Sequence, residues 1–145
     1  MEEIKIRYHA DIDELEFVGG KERSNWIDLR SAETIHMEPG DFRMISLGVS
    51  MKLPEGYEAI VAPRSSTFKK FGIILINSIG IIDGSYCGDN DVWRFPALCM
   101  RATTIHKNDR IAQFRIIRNQ PDIHFDVVEH LDGDDRGGFG STGVK

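Results

Sequence analysis

Short runs of β-branched and aromatic residues recur between turn-forming residues, at 4–8, 42–53, 57–62, 72–76, 92–102, 110–118 and 123–130. Runs of this length and composition read as strands. Alternating facing is visible in Ile111, Gln113, Phe114 and Ile116, and again in Phe125, Val127 and Val128. Glu38-Pro39-Gly40-Asp41 and Leu53-Pro54-Glu55-Gly56 supply turns. Helical periodicity is scarce: residues 11–17 predict a turn or two, and 65–71 a short helix ended by Gly72. No internal repeat is present. The pattern predicts an all-β fold, a sandwich or jelly roll with one short helix.

A chain of 145 residues with 41% hydrophobic content can fill one core and not two. Asp132-Gly133-Asp134-Asp135 marks a change in composition. The expected division is a domain over 1–132 and a flexible glycine-rich C-terminal arm over 133–145. A net charge of -5 lacks the basic excess that a nucleic-acid polymer demands. No apolar run is long enough for a membrane span, and Met1-Glu2-Glu3-Ile4-Lys5 is no signal peptide, so a soluble cytoplasmic protein is expected. Cys87 and Cys99 have no clustered His partner and predict neither a disulfide framework nor a zinc site.

Several short constellations carry candidate chemistry. The arm, Arg136-Gly137-Gly138-Phe139-Gly140-Ser141-Thr142-Gly143, combines turning glycines, hydroxyls, an arginine and one aromatic ring. That set suits a flap over a nucleotide, although a plain Gly/Ser terminus has the same composition. In Pro63-Arg64-Ser65-Ser66-Thr67 either serine can cap the short helix, bringing hydroxyls and Arg64 to one spot as an anion cradle or an ordinary N-cap. Asn77, Asp83 and Tyr86 stand together in a strand, turn, strand reading of 77–86: Asn can read a base edge, Asp can accept a proton from water, and Tyr can cover a sugar. Asp83-Gly84 is equally a hairpin turn. Gln113 alternates in facing with Ala112 and Phe114 and reads as a solvated glutamine taken alone. Asp28, after Trp26-Ile27, could orient a metal-bound water or cap a turn.

In this order and spacing the pieces resemble the five motifs of the homotrimeric dUTP pyrophosphatase (dUTPase) family, over about residues 24–143. Asp28-Leu29 is similar to the first, Pro63-Arg64-Ser65-Ser66 to the second, Asn77 through Tyr86 to the third, and Arg110-Ile111-Ala112-Gln113 to the fourth. Gly137 through Gly143 is similar to the fifth. The resemblance implies a jelly-roll-like β-sandwich, the dUTPase-like β-clip. It also implies hydrolysis of dUTP to dUMP and pyrophosphate with Mg²⁺ carried on the phosphates, limiting uracil in DNA and supplying dUMP.

By the same resemblance, Asp83 would hold and partly deprotonate the water that attacks the α-phosphorus. Arg64, Ser65, Ser66 and Gln113 would bind the phosphate chain. Asn77, with the backbone of Gly80, Ile81 and Ile82, would pair with uracil and leave no space for a 5-methyl group. Tyr86 would exclude a ribose 2′-hydroxyl. Phe139 would stack on uracil while Arg136, Gly140, Ser141 and Thr142 closed on the outer phosphates. Asp28 would bind a metal-coordinated water. The sites would lie at subunit interfaces of a homotrimer, with the arm of one chain reaching a site formed by others.

The family's usual RGxGGFGSTG tail has arginine and glycine where this chain has Asp134 and Asp135, and Arg136 is expected to substitute. Trp93 and Phe95 are expected in the core, with an aromatic lid as the other reading. The related dCTP deaminases need a glutamate after the hairpin, and none occurs between Glu58 and Glu129. The alternative from another class is a dUTP-sensing trimer that engages a regulatory protein through residues 11–22 or the Trp93 region, with catalysis secondary.

Overall fold

Short antiparallel strands dominate the chain because apolar and polar residues alternate over three to nine positions and then meet a turn. The structure is a computed structural model that describes residues 1–140 and 142–145. In chain order the elements are β1 (Lys5–Tyr8), β2 (Ile27–Arg30), β3 (Ile35–Met37), β4 (Phe42–Ser46), β5 (Val49–Lys52) and β6 (Tyr57–Pro63). They continue with α1 (Thr67–Phe71), β7 (Ile73–Leu75), β8 (Gly80–Ile82), β9 (Arg94–Cys99), β10 (Thr103–Ile105) and β11 (Arg110–Arg118). The sheets run β2-β11-β6-β8, β4-β9-β7, β1-β5 and β10-β3. Sequence neighbours therefore often lie in different sheets, as a jelly roll requires.

The expected strand over 42–53 is two strands, because Gly48 turns the chain with φ 69° and passes it from the β4 sheet to the β5 sheet. A Cβ at Gly48 would stand 2.9 Å from Ala32 Cβ, so the turn tolerates no side chain. Residues 11–17 form no helix. Their end bridges to β2 instead, at Phe17 and Ile27, with the Asp28 N–H bonded to Glu16 O and the Val18 N–H to Trp26 O, both at 2.9 Å. The expected strand over 123–130 does not form, since no edge within the chain takes its backbone groups; Phe125 is 83% and Val127 96% exposed.

One core joins residues of every sheet, among them Leu29, Met37, Ile45, Val49, Val61, Leu75, Phe95 and Phe114. Trp93 and Phe95 are 1% and 0% exposed, so both are core residues, and neither is a lid or a surface for a partner. Trp93 meets Phe114 edge to face, 5.0 Å between centroids and 82° between planes. Such a pair adds about 0.5–1.5 kcal/mol beyond its burial. Among the described residues no helix is long and apolar enough to cross a membrane.

Candidate active site

At one end of the large sheet, three strands bring a carboxylate, two guanidiniums and an amide together. In β11 Gln113 pairs with Asp28 of β2 on one side and Ala62 of β6 on the other. The Asp28 side chain is 4% exposed, with Arg64 Nε 2.8 Å from Oδ1 and Arg110 Nη1 3.5 Å from Oδ2. The Arg64 contact is an ion pair without a hydrogen bond aligned along it. Two cations around one carboxylate leave this strand end net positive. Gln113 Nε2 donates to Pro63 O at 3.0 Å, tying its side chain to the residue before Arg64.

The expected serine cap of α1 is not made. Ser66 is the cap residue, but its side chain makes no capping hydrogen bond. Thr67 does the anchoring: its Oγ1 accepts the Arg64 N–H at 2.8 Å and donates to Ile111 O at 2.8 Å. This buried hydroxyl pins the 63–67 turn onto β11 and leaves the Ser65 and Ser66 hydroxyls unused by the helix. Gly72 ends α1 in the left-handed conformation, as expected, with its N–H on Phe68 O. Pro63, Arg64, Ser65, Phe68, Leu75 and Ser78 line part of an open groove of about 500 Å³.

A second group is built around β8. Gly80 pairs with Val61, and a Cβ there would come 3.1 Å from Val61 Cβ, so glycine lets the strand lie close against β6. Asn77 is exposed on the preceding turn, where Ser78 has φ 64° and the Ile79 N–H bonds to Asn77 O. Ile81 is exposed and Ile82 packs against the core. The strand, turn, strand reading of 77–86 is corrected here: β8 pairs with β6, β7 with β9, and no strand follows Asp83 until β9.

Asp83 is exposed, and its Oδ1 accepts two bonds from Ser85, from N–H at 2.9 Å and from Oγ at 3.0 Å. The backbone bond first, then the hydroxyl bond, hold its carboxyl below the ordinary aspartate pKa. The Tyr86 N–H bonds to Asp83 O, and the Tyr86 hydroxyl donates to Val92 O at 3.1 Å. Lys52, Tyr57, Ser85 and Asn119 line an open groove of about 430 Å³ with Asp83.

The two groups are separated within one chain. Ile82 stands opposite Ala59 near the start of β6, whereas Arg64 follows its end. At 3.3–3.4 Å per residue the backbones of Asp83 and Arg64 are about 20 Å apart along β6. Arg136, Phe139, Gly140 and Thr142 are exposed in a segment without strand or helix, and Ser141 lies outside the described residues. The parts that Arg110 and Thr67 play in this cluster were not visible in the sequence, because their partners, Asp28 and Ile111, are 82 and 44 positions away. Among the described residues no three carboxylate, His or Cys side chains form a metal cage.

A dUTPase family model matches residues 20–143. The chain belongs to the dUTPase family. It is 51% identical over 144 residues to the SPbeta prophage-derived deoxyuridine 5'-triphosphate nucleotidohydrolase YosS of Bacillus subtilis (strain 168), covering 99% of both chains. The fold is similar to that of a variant dUTPase of Staphylococcus bacteriophage 80alpha solved with dUpNHpp, with TM-score 0.76 and 22% identity, covering 98% of this chain and 99% of that one. It is also similar to a variant dUTPase of phage phi11 of S. aureus, described for its structural Mg(II) ion, with TM-score 0.74 and 19% identity over 90% and 99% of the two chains.

Proposed function

We propose that the dUTP hydrolysis that comes with membership of the dUTPase family runs here by water attack on the α-phosphorus, with the water held by Asp83. The observation that carries this role is the Asp83 carboxylate: exposed, oriented by two Ser85 bonds and kept ionised at neutral pH. A lowered pKa makes it a weak base, so alignment of the water does more than proton affinity. The proton leaves the water for Asp83 as the oxygen bonds to phosphorus and pyrophosphate departs.

Arg64, Ser65, Ser66 and Gln113 bind the phosphates in this proposal. Asp28 aims Arg64 and Arg110 at them, because both of its oxygens face guanidiniums. This use of Asp28 replaces the expected contact with a metal-bound water. Mg²⁺ enters with the triphosphate and supplies charge neutralisation. Asn77 and the backbone of Gly80, Ile81 and Ile82 read uracil, and Tyr86 packs on the sugar. Residues 133–145 act as the arm, with Phe139 on the base and Arg136, Gly140, Ser141 and Thr142 on the outer phosphates. A substrate drawn from the nucleotide pool goes with a cytoplasmic protein.

The working assembly is a homotrimer with shared sites. Three observations support it. Asp83 and Arg64 are too far apart on β6 to serve neighbouring atoms of one triphosphate from one chain. The outer face of the β4-β9-β7 sheet is apolar, with Phe42, Met44 and Ile74 at 56%, 47% and 42% exposed, and an antiparallel sheet apolar on both faces calls for a covering partner. The alternating 123–130 segment has strand character and no edge of its own chain.

Pyrophosphate release from dUTP, dTTP, dCTP and UTP, with Mg²⁺ and with a chelator, tests the reading. Selective metal-dependent turnover of dUTP, abolished by Asp83→Asn, is expected. Turnover of dTTP or UTP equal to that of dUTP would overturn the assigned specificity.

A further inference from the structure

The loop after Asp83 is tied down from outside the site. The Tyr86 hydroxyl on Val92 O closes residues 86–92 into a ring. Inside it, Asp91 Oδ2 accepts the Gly88 N–H at 2.8 Å, and the Asp91 N–H returns to Gly88 O at 3.1 Å. From β5, Ser50 donates its hydroxyl to Asp89 O at 3.1 Å, and His9 Nε2 lies 2.9 Å from Ser50 Oγ. Since the one hydroxyl proton of Ser50 goes to Asp89, His9 is the donor from Nε2. The His9 N–H is itself fixed on Gly48 O at 2.8 Å, and the Trp93 N–H, next to Val92, on Val49 O at 2.8 Å.

We infer that Ser50 and His9 are positioning residues for sugar discrimination: they hold Asp89, hence the 86–92 loop, hence the Val92 carbonyl that sets the tilt of the Tyr86 ring. The inference rests on the proposed packing of Tyr86 against the sugar. Ser50 is 3% exposed in a strand whose neighbours Val49 and Met51 are apolar core residues. A hydroxyl there costs desolvation unless it bonds, and the bonds it makes run outward to the loop and to His9. A ring held at its hydroxyl cannot swing aside to admit a 2′-hydroxyl. A ring released from it can, and the discrimination weakens with little change in the chemistry at Asp83.

The test is kcat/KM for dUTP and UTP in the unsubstituted protein, Ser50→Ala, His9→Leu, His9→Gln, Tyr86→Phe and Ser50→Ala with Tyr86→Phe. Ser50→Ala and His9→Leu are expected to raise the UTP-to-dUTP ratio about 3- to 10-fold, the size of one neutral hydrogen bond, with kcat for dUTP retained. His9→Gln, whose amide still donates to Ser50, keeps the parental ratio. In the double variant Ser50→Ala adds nothing to Tyr86→Phe, because both break the same path. An unchanged ratio in folded Ser50→Ala and His9→Leu overturns the inference, as does an effect additive with Tyr86→Phe. His9 is exposed, so His9→Leu decides if Ser50→Ala does not fold. Turnover of dUTP with an unmoved ratio removes the latch alone; no dUTP turnover in the unsubstituted protein removes the proposed function and the latch with it.

Discussion

Arg64 Nε lies 2.8 Å from Oδ1 of Asp28, a carboxylate almost wholly buried beneath the strand end that presents the arginine. The Arg64 side chain is 15% exposed, so its charge is partly desolvated and held against the aspartate below it. If Arg64 binds phosphate as proposed, Asp28 couples stability to anion binding, because the ion pair at the strand end also holds that ligand.

Asp28→Asn should weaken both. Breaking a buried pair by removing one partner costs about 3–5 kcal/mol, and the lower end applies because Arg110 remains half exposed to water. Urea unfolding is expected to show that loss together with a raised KM for dUTP. A stable variant with unchanged KM would mean that Arg64 needs no aim from Asp28.

As the proposed holder of the attacking water, Asp83 is expected to set the pH behaviour. Its pKa is lowered in the folded protein, so the stability from the Ser85 bonds is present above the ordinary aspartate value and is lost as pH falls through the lowered one. Activity follows the same sign: kcat/KM should hold through neutral pH and fall only below the usual carboxylate range. Ser85→Ala removes the hydroxyl bond and keeps the backbone bond, so the acid limb should move toward the ordinary value without reaching it. An unmoved limb in the pH–rate profile would assign it to another group.

Gly72 has φ 63°, and a Cβ there would come 2.5 Å from Arg101 Cγ, whose guanidinium reaches Lys69 O at the end of α1. Gly72→Ala should cost about 1–2 kcal/mol for the left-handed backbone alone, plus the clash. Adding Arg101→Ala should recover only the clash, as read by thermal unfolding of the two variants. Full recovery would place the whole cost in the side-chain contact.

The strand β11 was legible to its ends, 110–118, because nine residues run without a turn former, alternate in burial from Ala112 to Ile116 past an irregularity at Ile111, and pair along their length with β6. The short strands β2, β3 and β10 were not. Asp28, Arg30, His36 and Thr104 interrupt their apolar pattern, and their register comes from partners far along the chain. Among the proposed site residues Asp83, Arg64 and Gln113 stand in motifs visible in the sequence, whereas the Arg110 contact with Asp28 and the Thr67 anchor arise only when β2, β6 and β11 align. The 123–130 pattern was readable as a strand. No strand forms there, because no edge among the described residues takes up its backbone groups.

Removal of residues 136–145 should leave stability within about 0.5 kcal/mol, since the described side chains among them are exposed and none belongs to the core cluster. Turnover of dUTP should nevertheless collapse, because the arm is proposed to close the site. A truncated protein with full kcat and KM would remove the arm from the mechanism.

The shared site is tested most directly by mixing two inactive proteins, Asp83→Asn and Arg64→Ala, under conditions that let the chains exchange, and measuring pyrophosphate release from dUTP. If Asp83 of one chain works with Arg64 of another, random trimers regain about a quarter of the parental activity, because each of the two intact groups is present in half of the positions. Activity that stays at the level of the separate variants, with exchange verified, would mean that each chain builds its site alone and would contradict the account.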